Sequence, residues 1–287
     1  MKYTVAVTGS SGFLGSHLLP MLRQQGFEVI AISRGNGFDI CNPASLQNLP
    51  PFNAIVHLAA KTFVPDSYNH TAEFLSSNIN GTLHALELCK KNKARFVYAS
   101  SYVYGPPAYL PVDENHPVNL WNPYAAGKII GEQLCQTYSK EFKLPVDILR
   151  IFNIYGPGQN PTFVIPKIIN GVMEGRLDLE TGTPKRDFVY VADVCKAILS
   201  CLNVEPGNVL ANIYNVGTGD SHSVNQLVEL AKKLCGKMAE VTFNAGTRPV
   251  EVPDVRANFA KIKVDRNWQP SVSLEEGMQR IIDSLHK

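Results

Sequence analysis

Short β-rich runs alternate with longer helical runs through the first half of the chain, and this alternation constrains the fold more than any other feature. Each short run is dense in valine, isoleucine and aromatic residues, whereas the runs between them carry apolar residues at helical spacing. Strands joined by such helices form crossover units, which build a parallel sheet. The sequence therefore predicts a doubly wound α/β fold. The predicted strands are YTVAVTG, FEVIAIS, NAIVHLAA, RFVYASS and VDILRIF, and the predicted helices are FLGSHLLPMLRQQG, TAEFLSSNINGTLHALELCKKN and PYAAGKIIGEQLCQTYSKEF.

The pattern changes after Phe152. The stretch NIYGPGQNPT is rich in turn residues, and the segments beyond it are shorter and mixed. A chain of 287 residues has room for one large α/β domain and a smaller lobe. We expect residues 1–155 to form the larger domain, with 186–216 returning to it, and residues 156–185 and 217–287 to form the smaller lobe.

Three glycines, Gly9, Gly12 and Gly15, lie between the first predicted strand and the first predicted helix. Glycine permits a tight turn and a close approach of the backbone to a ligand. The amino terminus of the following helix offers unpaired amides and a positive dipole end to a pyrophosphate. The usual fingerprint is Gly-x-Gly-x-x-Gly, whereas the first gap here is two residues long. A turn that binds no ligand is therefore the alternative to a phosphate-binding loop.

Tyr124 and Lys128 lie one turn apart on a predicted helix that starts near Asn122. Gly131 and Cys135 continue the same stripe, which is therefore not a charged, solvated face. A phenol with an ordinary pKa of about 10 is a poor base at neutral pH, and a fixed ammonium nearby stabilises its ionised form. The pair suits acid–base chemistry. The alternative is a packed tyrosine beside a lysine that extends into solvent.

Charge and cysteine content argue against several classes of function. The 27 basic and 25 acidic residues form no run of like charge and no basic stripe interleaved with aromatic residues, so nothing favours nucleic-acid binding. The six cysteines show no metal-ligand spacing and are typical of small buried side chains in a reducing compartment. The sequence starts without a signal-peptide pattern and has no apolar run long enough to span a bilayer. We expect a cytoplasmic protein that binds no metal, nucleic acid or membrane.

Motifs along nearly the whole chain resemble the extended short-chain dehydrogenase/reductase family. The phosphate loop of that family, Thr-Gly-x-x-Gly-[Phe/Tyr]-[Leu/Ile]-Gly, matches residues 8–15. The resemblance implies a Rossmann-type sheet with a smaller C-terminal substrate-binding lobe, an NAD(P) cofactor, and C4 epimerase, 4-keto reductase or 4,6-dehydratase activity on a nucleotide-diphosphate sugar. Further matching segments are HLAA (57–60), NINGT (78–82), ASSYVYG (99–105), PYAAGK (123–128), LRIFNIYGPG (149–158), RDFVYVADV (186–194), YNVGTG (214–219) and NWQPSVSLEEG (267–277).

The resemblance assigns the catalytic roles to Ser100, Tyr124 and Lys128. In the family, the tyrosine exchanges a proton with the sugar hydroxyl or keto oxygen, and the lysine holds the nicotinamide ribose and lowers the pKa of the tyrosine. The Ser/Thr at the end of the fourth strand hydrogen-bonds the reacting oxygen. Ser101 is the less favoured holder of that role, and the alternative for both serines is a hydroxyl that caps a strand end.

The same resemblance implies a cofactor site that begins at the glycine loop and continues along the strand ends. Asp39 and Ile40 occupy the adenine-contacting position of the family, only five residues after Arg34. The expected cofactor-binding residues are Gly9, Gly12, Phe13, Leu14, Gly15, Ser33, Arg34, Asp39, Ile40, Leu58, Ala59, Ala60, Asn78, Tyr124 and Lys128.

Two departures from common family patterns narrow the reaction. The 4,6-dehydratases carry an acid–base pair or a lone glutamate directly after the Ser/Thr, where this chain has Ser101 and Tyr102, which disfavours dehydration. NAD-binding sites commonly place an acid at the end of the second strand, where this chain has Ser33 and Arg34, which suit a phosphate. NADP(H) is therefore favoured. An Arg34 that stacks on adenine or is solvated would fit NAD(H) equally well.

Four further residues match substrate-binding positions of the family. Asn153 matches an asparagine that contacts the substrate diphosphate, and Arg186 and Arg248 match arginines that clamp the diphosphate or the nucleotide. Glu251 aligns where an acid often meets the nucleotide ribose. Substrate contact and structural support are equal alternatives for Arg186. The expected substrate-binding residues are Ser100, Tyr124, Asn153, Arg186, Arg248 and Glu251.

The favoured function is an NADPH-dependent 4-keto-sugar reductase with Tyr124 as acid/base. The stretches HLAAKTFVPDS and RPVEVPD resemble reductases that act on GDP-4-keto-6-deoxymannose. A C4 epimerase of the UDP-glucose 4-epimerase kind that retains NAD is the close alternative, and a non-catalytic dinucleotide-binding sensor is the third. Family members are often dimers through a four-helix bundle, so we expect a homodimer by analogy.

Overall fold

Strands and helices follow one another along the chain in the predicted order. The computed structural model describes residues 2–203, 211–244 and 252–286. All five predicted strands and all three predicted helices are present. In chain order, the elements are β1 (Thr4–Thr8), α1 (Phe13–Gln24), β2 (Glu28–Ile32), β3 (Ala54–His57), α2 (Val64–Asn69), α3 (Thr71–Asn92), β4 (Arg95–Ser101), α4 (Pro123–Phe142), β5 (Val146–Ile151), β6 (Asn153–Tyr155), α5 (Val164–Glu174), β7 (Arg176–Leu179), β8 (Lys185–Arg186), β9 (Phe188–Tyr190), α6 (Val191–Leu202), β10 (Asn212–Val216), β11 (His222–Ser223), α7 (Val224–Cys235), β12 (Glu240–Phe243), α8 (Ala260–Arg266) and α9 (Leu274–Leu285).

Strands β1 to β5 and β10 form one parallel sheet in the order β10-β5-β4-β3-β1-β2. After β2 the chain crosses back and continues with β3 on the other side of β1. This reversal is a topological switch point, and doubly wound folds bind their ligands outside the carboxyl ends of the strands at such a point. The predicted doubly wound α/β architecture is confirmed.

Helices cover both faces of the sheet, which explains why its strands appear as apolar runs in the sequence. Val5 and Val7 belong to a core that includes residues of α1 and α6, whereas Ala6 belongs to a second core that includes residues of α3 and α4. All three residues are fully buried. Side chains alternate between the two faces of a strand, so a strand that is buried on both faces has no polar side.

Helix α4, which carries Tyr124 and Lys128, has a defined start and end. The Asn122 Oδ1 atom accepts a hydrogen bond from the Ala125 amide at 2.7 Å, which satisfies one of the free amides at the helix start. Lys143 ends the helix in the left-handed conformation, with a φ of 56°. The cap holds Tyr124 in the first turn of the helix.

The structure corrects the sequence prediction in three places. Helix α1 ends at Gln24, two residues before its predicted end, because Gly26 has a φ of 85° and terminates the helix. Helix α2 was not predicted, since six residues are too few to show a helical period. Cys41 is exposed, whereas a buried side chain was predicted.

A smaller lobe packs beside the sheet around its own core. Residues of α5, α7 and α9 form this core, and β7 and β12 pair in parallel next to it. Strand β6 pairs with β9, and β8 pairs with β11. Helix α6 packs against α1, and β10 extends the large sheet next to β5. The residue boundaries between the two lobes stay a prediction.

Residues 2–203, 211–244 and 252–286 contain neither a membrane-spanning helix nor a cluster of metal-binding side chains. None of the helices there is both long and apolar enough to cross a membrane. No group of three or more histidine, cysteine, aspartate or glutamate side chains in this part of the chain is arranged to hold a metal ion.

Candidate active site

A cleft of about 1340 Å³ opens at the carboxyl ends of β1, β3 and β4 and extends to α5 of the smaller lobe. It lies at the topological switch point of the sheet, where the fold predicts a ligand site. The cleft brings together Gly9, Gly12, Phe13, Leu14, Gly15, Ser33, Arg34, Asp39, Ile40, Leu58, Ala59, Ala60, Ser100, Tyr124, Lys128 and Asn153 from the predicted site.

The glycine loop lines the cleft between β1 and α1. Gly9 has a φ of 67°, a conformation that favours glycine, and its carbonyl oxygen accepts a hydrogen bond from the Gly12 amide at 3.0 Å. A Cβ atom at Gly9 would lie 2.8 Å from the Ala59 amide nitrogen, and one at Gly15 would lie 2.5 Å from the Gly9 carbonyl oxygen. The loop therefore needs glycine at these positions, and it presents the amides of the α1 terminus to an anion.

His57 supports the neighbouring loop from within the protein. Thr82 Oγ1 donates to a backbone carbonyl oxygen at 2.7 Å, so it accepts from His57 Nε2 at 3.2 Å. His57 Nδ1 then accepts from Thr8 Oγ1 at 2.7 Å, and Thr8 Oγ1 accepts from the amides of residues 58–59. Burial above all lowers the pKa of His57 to about 3, so its ring is neutral. The histidine orders the cleft wall through Thr8.

The ammonium group of Lys128 lies inside the protein. The residue is 4% exposed, and its Nζ atom donates to the Ala99 carbonyl oxygen at 2.8 Å and lies 5.1 Å from the centroid of the Tyr98 ring. Burial lowers the pKa of Lys128 to about 8, and the neighbouring Cys135 and Glu132 partly oppose this change. A lysine that extends into solvent is therefore ruled out.

The phenol of Tyr124 faces the cleft and is paired with Ser101. Burial raises the pKa of Tyr124, and a hydrogen bond from the Ser101 hydroxyl favours the ionised form and opposes part of the rise. Lys128, which was expected to lower this pKa, donates to the Ala99 carbonyl oxygen instead. Tyr124 is therefore protonated at neutral pH and has a proton to give.

Ser100 and Ser101, which are adjacent at the end of β4, have different partners. Ser100 is 4% exposed, and its Oγ atom donates to Glu132 Oε1 at 2.5 Å, whereas Ser101 bonds to Tyr124. Both serines line the cleft. One hydroxyl is therefore attached to the middle of α4 and the other to the first turn of that helix.

Ser33 and Arg34, which carry a hydroxyl and a guanidinium group, directly follow β2. Ser33 Oγ is buried, borders the cleft and has no hydrogen-bond partner among the described residues. Arg34 is exposed and begins a short 3-10 turn, and Asp39 Oδ1 accepts a hydrogen bond from the Cys41 amide at 2.9 Å. A buried hydroxyl without a partner suits a ribose or phosphate oxygen of a ligand. Together with the glycine loop, this end of the cleft fits a dinucleotide.

The relationship to known proteins follows from the same part of the chain. Residues 5–217, which include every cleft residue named so far, match the model of the NAD-dependent epimerase/dehydratase family. The chain belongs to this family.

Relatives in the family cover nearly the whole chain. A putative UDP-glucose 4-epimerase of Methanocaldococcus jannaschii is 32% identical over 303 residues, which cover 97% of this chain and 97% of that protein. The GDP-6-deoxy-D-mannose reductase of Pseudomonas aeruginosa is 31% identical over 297 residues, which cover 98% and 97% of the two chains. A structure of RMD from Pseudomonas aeruginosa in complex with NADPH matches with a TM-score of 0.90 and 30% identity, and the match covers 99% of this chain and 98% of that one.

These matches confirm the predicted class. The chain is a member of the extended short-chain dehydrogenase/reductase family of NAD(P)-dependent sugar-nucleotide epimerases, reductases and dehydratases. Relatives at about 30% identity include both an epimerase and a reductase, so the family alone leaves the reaction open.

Asn78, which the family pattern places at the cofactor, does not line the cleft. It is 2% exposed, its Oδ1 atom accepts from the Lys61 amide at 2.8 Å, and its Nδ2 atom donates to the Lys61 carbonyl oxygen at 3.1 Å. Both the oxygen and the nitrogen of the Asn78 side-chain amide are therefore hydrogen-bonded to the backbone of the loop that follows β3. Asn78 shapes the cleft wall through Lys61.

Two of the six predicted substrate-binding residues, Ser100 and Tyr124, line the cleft as described above, and the other four divide into three groups. Asn153 lines the cleft, and its Nδ2 atom donates to the carbonyl oxygen of residue 187 at 3.0 Å. Arg186 does not line the cleft, and its Nη1 atom donates to the Val252 carbonyl oxygen at 2.6 Å. The remaining two, Arg248 and Glu251, lie outside the described residues.

Asp187 is a supporting residue that the sequence analysis did not single out. Its carboxylate accepts hydrogen bonds from the Thr218 amide at 2.8 Å, the Thr218 hydroxyl at 2.7 Å, the Gly219 amide at 2.9 Å and the Ala257 amide at 3.0 Å. Burial raises the pKa of Asp187, and these bonds oppose the rise. The residue ties together two segments that are far apart in sequence. The only sequence signal is an acid within RDFVYVADV, directly after Arg186.

Proposed function

We propose that the protein is an NADPH-dependent reductase that acts at C4 of a 4-keto nucleotide-diphosphate sugar. The observation that carries this proposal is the end of β2, where Ser33 and Arg34 replace the acid that NAD-binding sites commonly have. The Arg34 guanidinium is planar and permanently charged, so it suits the 2′-phosphate that distinguishes NADPH from NADH. The buried Ser33 hydroxyl, which lacks a partner among the described residues, offers a further hydrogen bond.

When bound, NADPH supplies the hydride for C4 of the sugar. Tyr124 supplies the proton for O4, because burial raises its pKa and keeps the phenol protonated at neutral pH. The Ser101 hydroxyl orients the phenol and stabilises the phenolate that remains after the transfer. Lys128, whose ammonium group donates to the Ala99 carbonyl oxygen at the same end of β4, is assigned by resemblance to hold the nicotinamide ribose.

The two positions that follow Ser100 disfavour dehydration. Ser101 is a neutral hydroxyl paired with Tyr124. The Tyr102 hydroxyl donates to the Gly105 carbonyl oxygen, and burial raises the pKa of this tyrosine. Neither side chain can exchange protons with the sugar at neutral pH, so the elimination of water has no acid–base pair at these positions.

On the side of the smaller lobe, we propose that Asn153 contacts the substrate diphosphate. Its side chain lines the cleft from the first residue of β6, which follows β5. The relative named GDP-6-deoxy-D-mannose reductase supports a keto-sugar nucleotide as substrate class. We assign the outer contacts of the nucleotide to Arg248 and Glu251 by resemblance, whereas the bonds of Arg186 favour a structural role.

A first experiment tests the reaction. Purified protein is mixed with NADPH and a panel of 4-keto sugar nucleotides that includes GDP-4-keto-6-deoxymannose, and cofactor oxidation is followed by absorbance. We expect oxidation with at least one of these substrates and a loss of roughly 100-fold or more in kcat for Tyr124→Phe, which has no proton to give. An absence of oxidation with every substrate would contradict the proposal.

A second experiment tests the cofactor. We expect NADPH to bind at least ~10-fold more tightly than NADH, and Arg34→Asp to reverse that preference. Arg23→Asp is the matched control, because Arg23 is exposed on α1, lies outside the cleft, and undergoes the same change of charge. Equal loss of NADPH binding in both variants would show that the effect is one of net charge only.

A C4 epimerase with retained NAD is the second candidate. The 32% identity to a putative UDP-glucose 4-epimerase favours it, and it needs the same serine, tyrosine and lysine. An epimerase recycles its cofactor, so it keeps it bound through purification. Release of bound cofactor from the purified protein with acid distinguishes the epimerase from the reductase. One equivalent of NAD per protein chain favours the epimerase, and a preparation without NAD favours the reductase.

A further inference from the structure

A buried ion pair lies directly behind the cleft, between α4 and β5. Glu132 Oε2 lies 2.7 Å from Arg150 Nη2, and Arg150 Nε also donates to Glu132 Oε1 at 3.0 Å. The two side chains are 4% and 5% exposed. Arg150 is held in turn by the Tyr104 hydroxyl, which accepts from its Nη1 atom at 3.0 Å. The guanidinium is therefore held in place on the side away from Glu132.

The remaining contact of Glu132 is made with the cleft. Its Oε1 atom accepts the hydroxyl hydrogen bond of Ser100 at 2.5 Å, and Ser100 lines the cleft. A hydroxyl has one proton to donate, so this bond fixes the rotation of Ser100 Oγ and leaves its lone pairs for other partners. The Ser100 hydroxyl is thus oriented from inside the protein.

Glu132 also lies one turn along α4 from Lys128, on the same buried face. The charged and titratable groups that surround Lys128 come from three elements. They are His57 of β3, Tyr98 of β4, and Tyr124, Glu132 and Cys135 of α4. His57 is neutral, and the pKa values of Tyr98 and Cys135 are raised by burial, so Glu132 is the anion in this set.

Burial of an ion pair is costly, and well-packed apolar side chains are often as stable in its place. A role in the reaction explains why charged groups occupy this position. Resting on the proposed function, we propose that Glu132, held by Arg150, is a positioning residue that keeps Lys128 charged and fixes the Ser100 hydroxyl, with its lone pairs free to accept a hydrogen bond from the O4 hydroxyl that reduction forms.

The two roles can be separated with four variants. Glu132→Gln removes the charge and keeps an oxygen near Ser100, whereas Glu132→Asp keeps the charge and shortens the reach to Ser100. Ser100→Ala removes only the hydroxyl. Asp147→Asn is the matched control, because Asp147 is buried and forms ion pairs with Arg95 and Arg266 at the opposite end of β5, outside the cleft.

The first readout does not depend on activity. Protein labelled with carbon-13 at lysine Cε is titrated by NMR, and the Lys128 signal is identified by its absence in Lys128→Arg. We expect a midpoint of about 8 in the unsubstituted protein. Loss of the nearby negative charge in Glu132→Gln should lower that midpoint by about one pH unit. Glu132→Asp, Ser100→Ala and Asp147→Asn should leave it unchanged.

The second readout is kcat with the 4-keto sugar substrate at neutral pH. We expect Glu132→Asp and Ser100→Ala each to lower kcat by ~10-fold or more with a change of less than about 3-fold in NADPH affinity. Asp147→Asn should lower the thermal midpoint and leave kcat unchanged.

The outcomes separate this proposal from the proposed function. An unsubstituted protein that reduces no keto sugar contradicts the function, and the Lys128 titration still decides the electrostatic role of Glu132. An unmoved Lys128 midpoint in Glu132→Gln, or an equal shift in Asp147→Asn, would overturn that role. Unchanged kcat in Glu132→Asp would overturn the positioning of Ser100.

Discussion

The rings of Phe63 and Phe163 meet edge to face across the cleft, with their centroids 5.8 Å apart and their planes at 75°. Phe63 precedes α2 in the loop after β3, and Phe163 directly precedes α5 of the smaller lobe. Both rings are half-buried and line the cleft. This aromatic contact therefore joins the two walls of the cleft.

Phe163→Ala should raise the KM for the sugar nucleotide while kcat changes little. Loss of an aromatic pair removes ~0.5–1.5 kcal/mol, which corresponds to about 2- to 12-fold in affinity if the contact is needed to form the substrate site. Steady-state kinetics measures the effect, and cofactor affinity should be unchanged. Phe243→Ala is the control, because Phe243 is exposed on β12 and lies outside the cleft. An equal rise of KM in both variants would contradict the prediction.

Lys128→Met should make the protein more stable at pH 7 and inactive. The pKa of Lys128 is about 8 in the folded protein and 10.5 as the ordinary value, so its burial as a cation opposes folding. The substitution should raise the free energy of unfolding by ~1–3 kcal/mol below pH 8. Urea unfolding at neutral pH measures this change.

The stabilisation by Lys128→Met should shrink as the pH rises. Above about 8 the folded protein releases the Lys128 proton, while the unfolded chain retains it up to about 10.5, so the penalty is relieved. The same measurement at alkaline pH checks the sign. Lys91→Met, at an exposed lysine of α3, should change stability little at either pH. A lower stability of Lys128→Met at pH 7 would show that burial of the charge is not costly.

Gly131→Ala should destabilise the protein because α4 packs closely on β4 at this point. An added Cβ atom would contact the Tyr98 hydroxyl and lie 2.8 Å from the Tyr98 Cζ atom. Overpacking of this kind costs ~1–3 kcal/mol, measured by urea unfolding. Tyr98→Phe removes the hydroxyl and should relieve part of the cost, so the double variant should be more stable than the sum of the single changes indicates. Strict additivity would argue against the contact.

Asp187→Asn should destabilise the protein and raise the KM for the substrate. The carboxylate accepts four hydrogen bonds from Thr218, Gly219 and Ala257, and an amide would turn its NH2 group towards donors. The expected loss is ~2–4 kcal/mol, measured by urea unfolding. Asp220→Asn, at an exposed position nearby, should change stability by less than about 0.5 kcal/mol. Equal effects at the two positions would contradict the role of Asp187.

Local patterns were sufficient for the elements of the large sheet. Helices α3 and α4 have the bounds that the sequence predicts, because their apolar residues recur with a helical period and Asn122 and Pro123 mark the start of α4. The five strands were recognisable because burial on both faces excludes polar residues from them. The glycine loop was recognisable because glycine is required by the φ of Gly9 and by the close backbone contacts at Gly9 and Gly15.

The partners of the site residues could not be read from local patterns. Glu132 and Arg150 are ordinary charged residues in a helix and a strand, and 18 positions separate them. The one available signal was that Glu132 continues the helical stripe of Tyr124 and Lys128. Asn78 matches a family motif that predicts a cofactor contact, but its side chain lies behind the cleft wall and hydrogen-bonds the backbone of Lys61 instead.

The sequence by itself determined the doubly wound fold, and it predicted the glycine loop and the pair of Tyr124 and Lys128 as parts of one site, since each of these patterns depends on residues within a few positions of one another. Only the tertiary structure decided which hydroxyl pairs with which group: Ser101 with Tyr124, and Ser100 with Glu132. The physical reason is that these contacts join different elements, α4 to β4, and their geometry depends on how the helix packs on the sheet. Burial, which sets the charge states of Tyr124 and Lys128, is likewise a property of the folded chain alone.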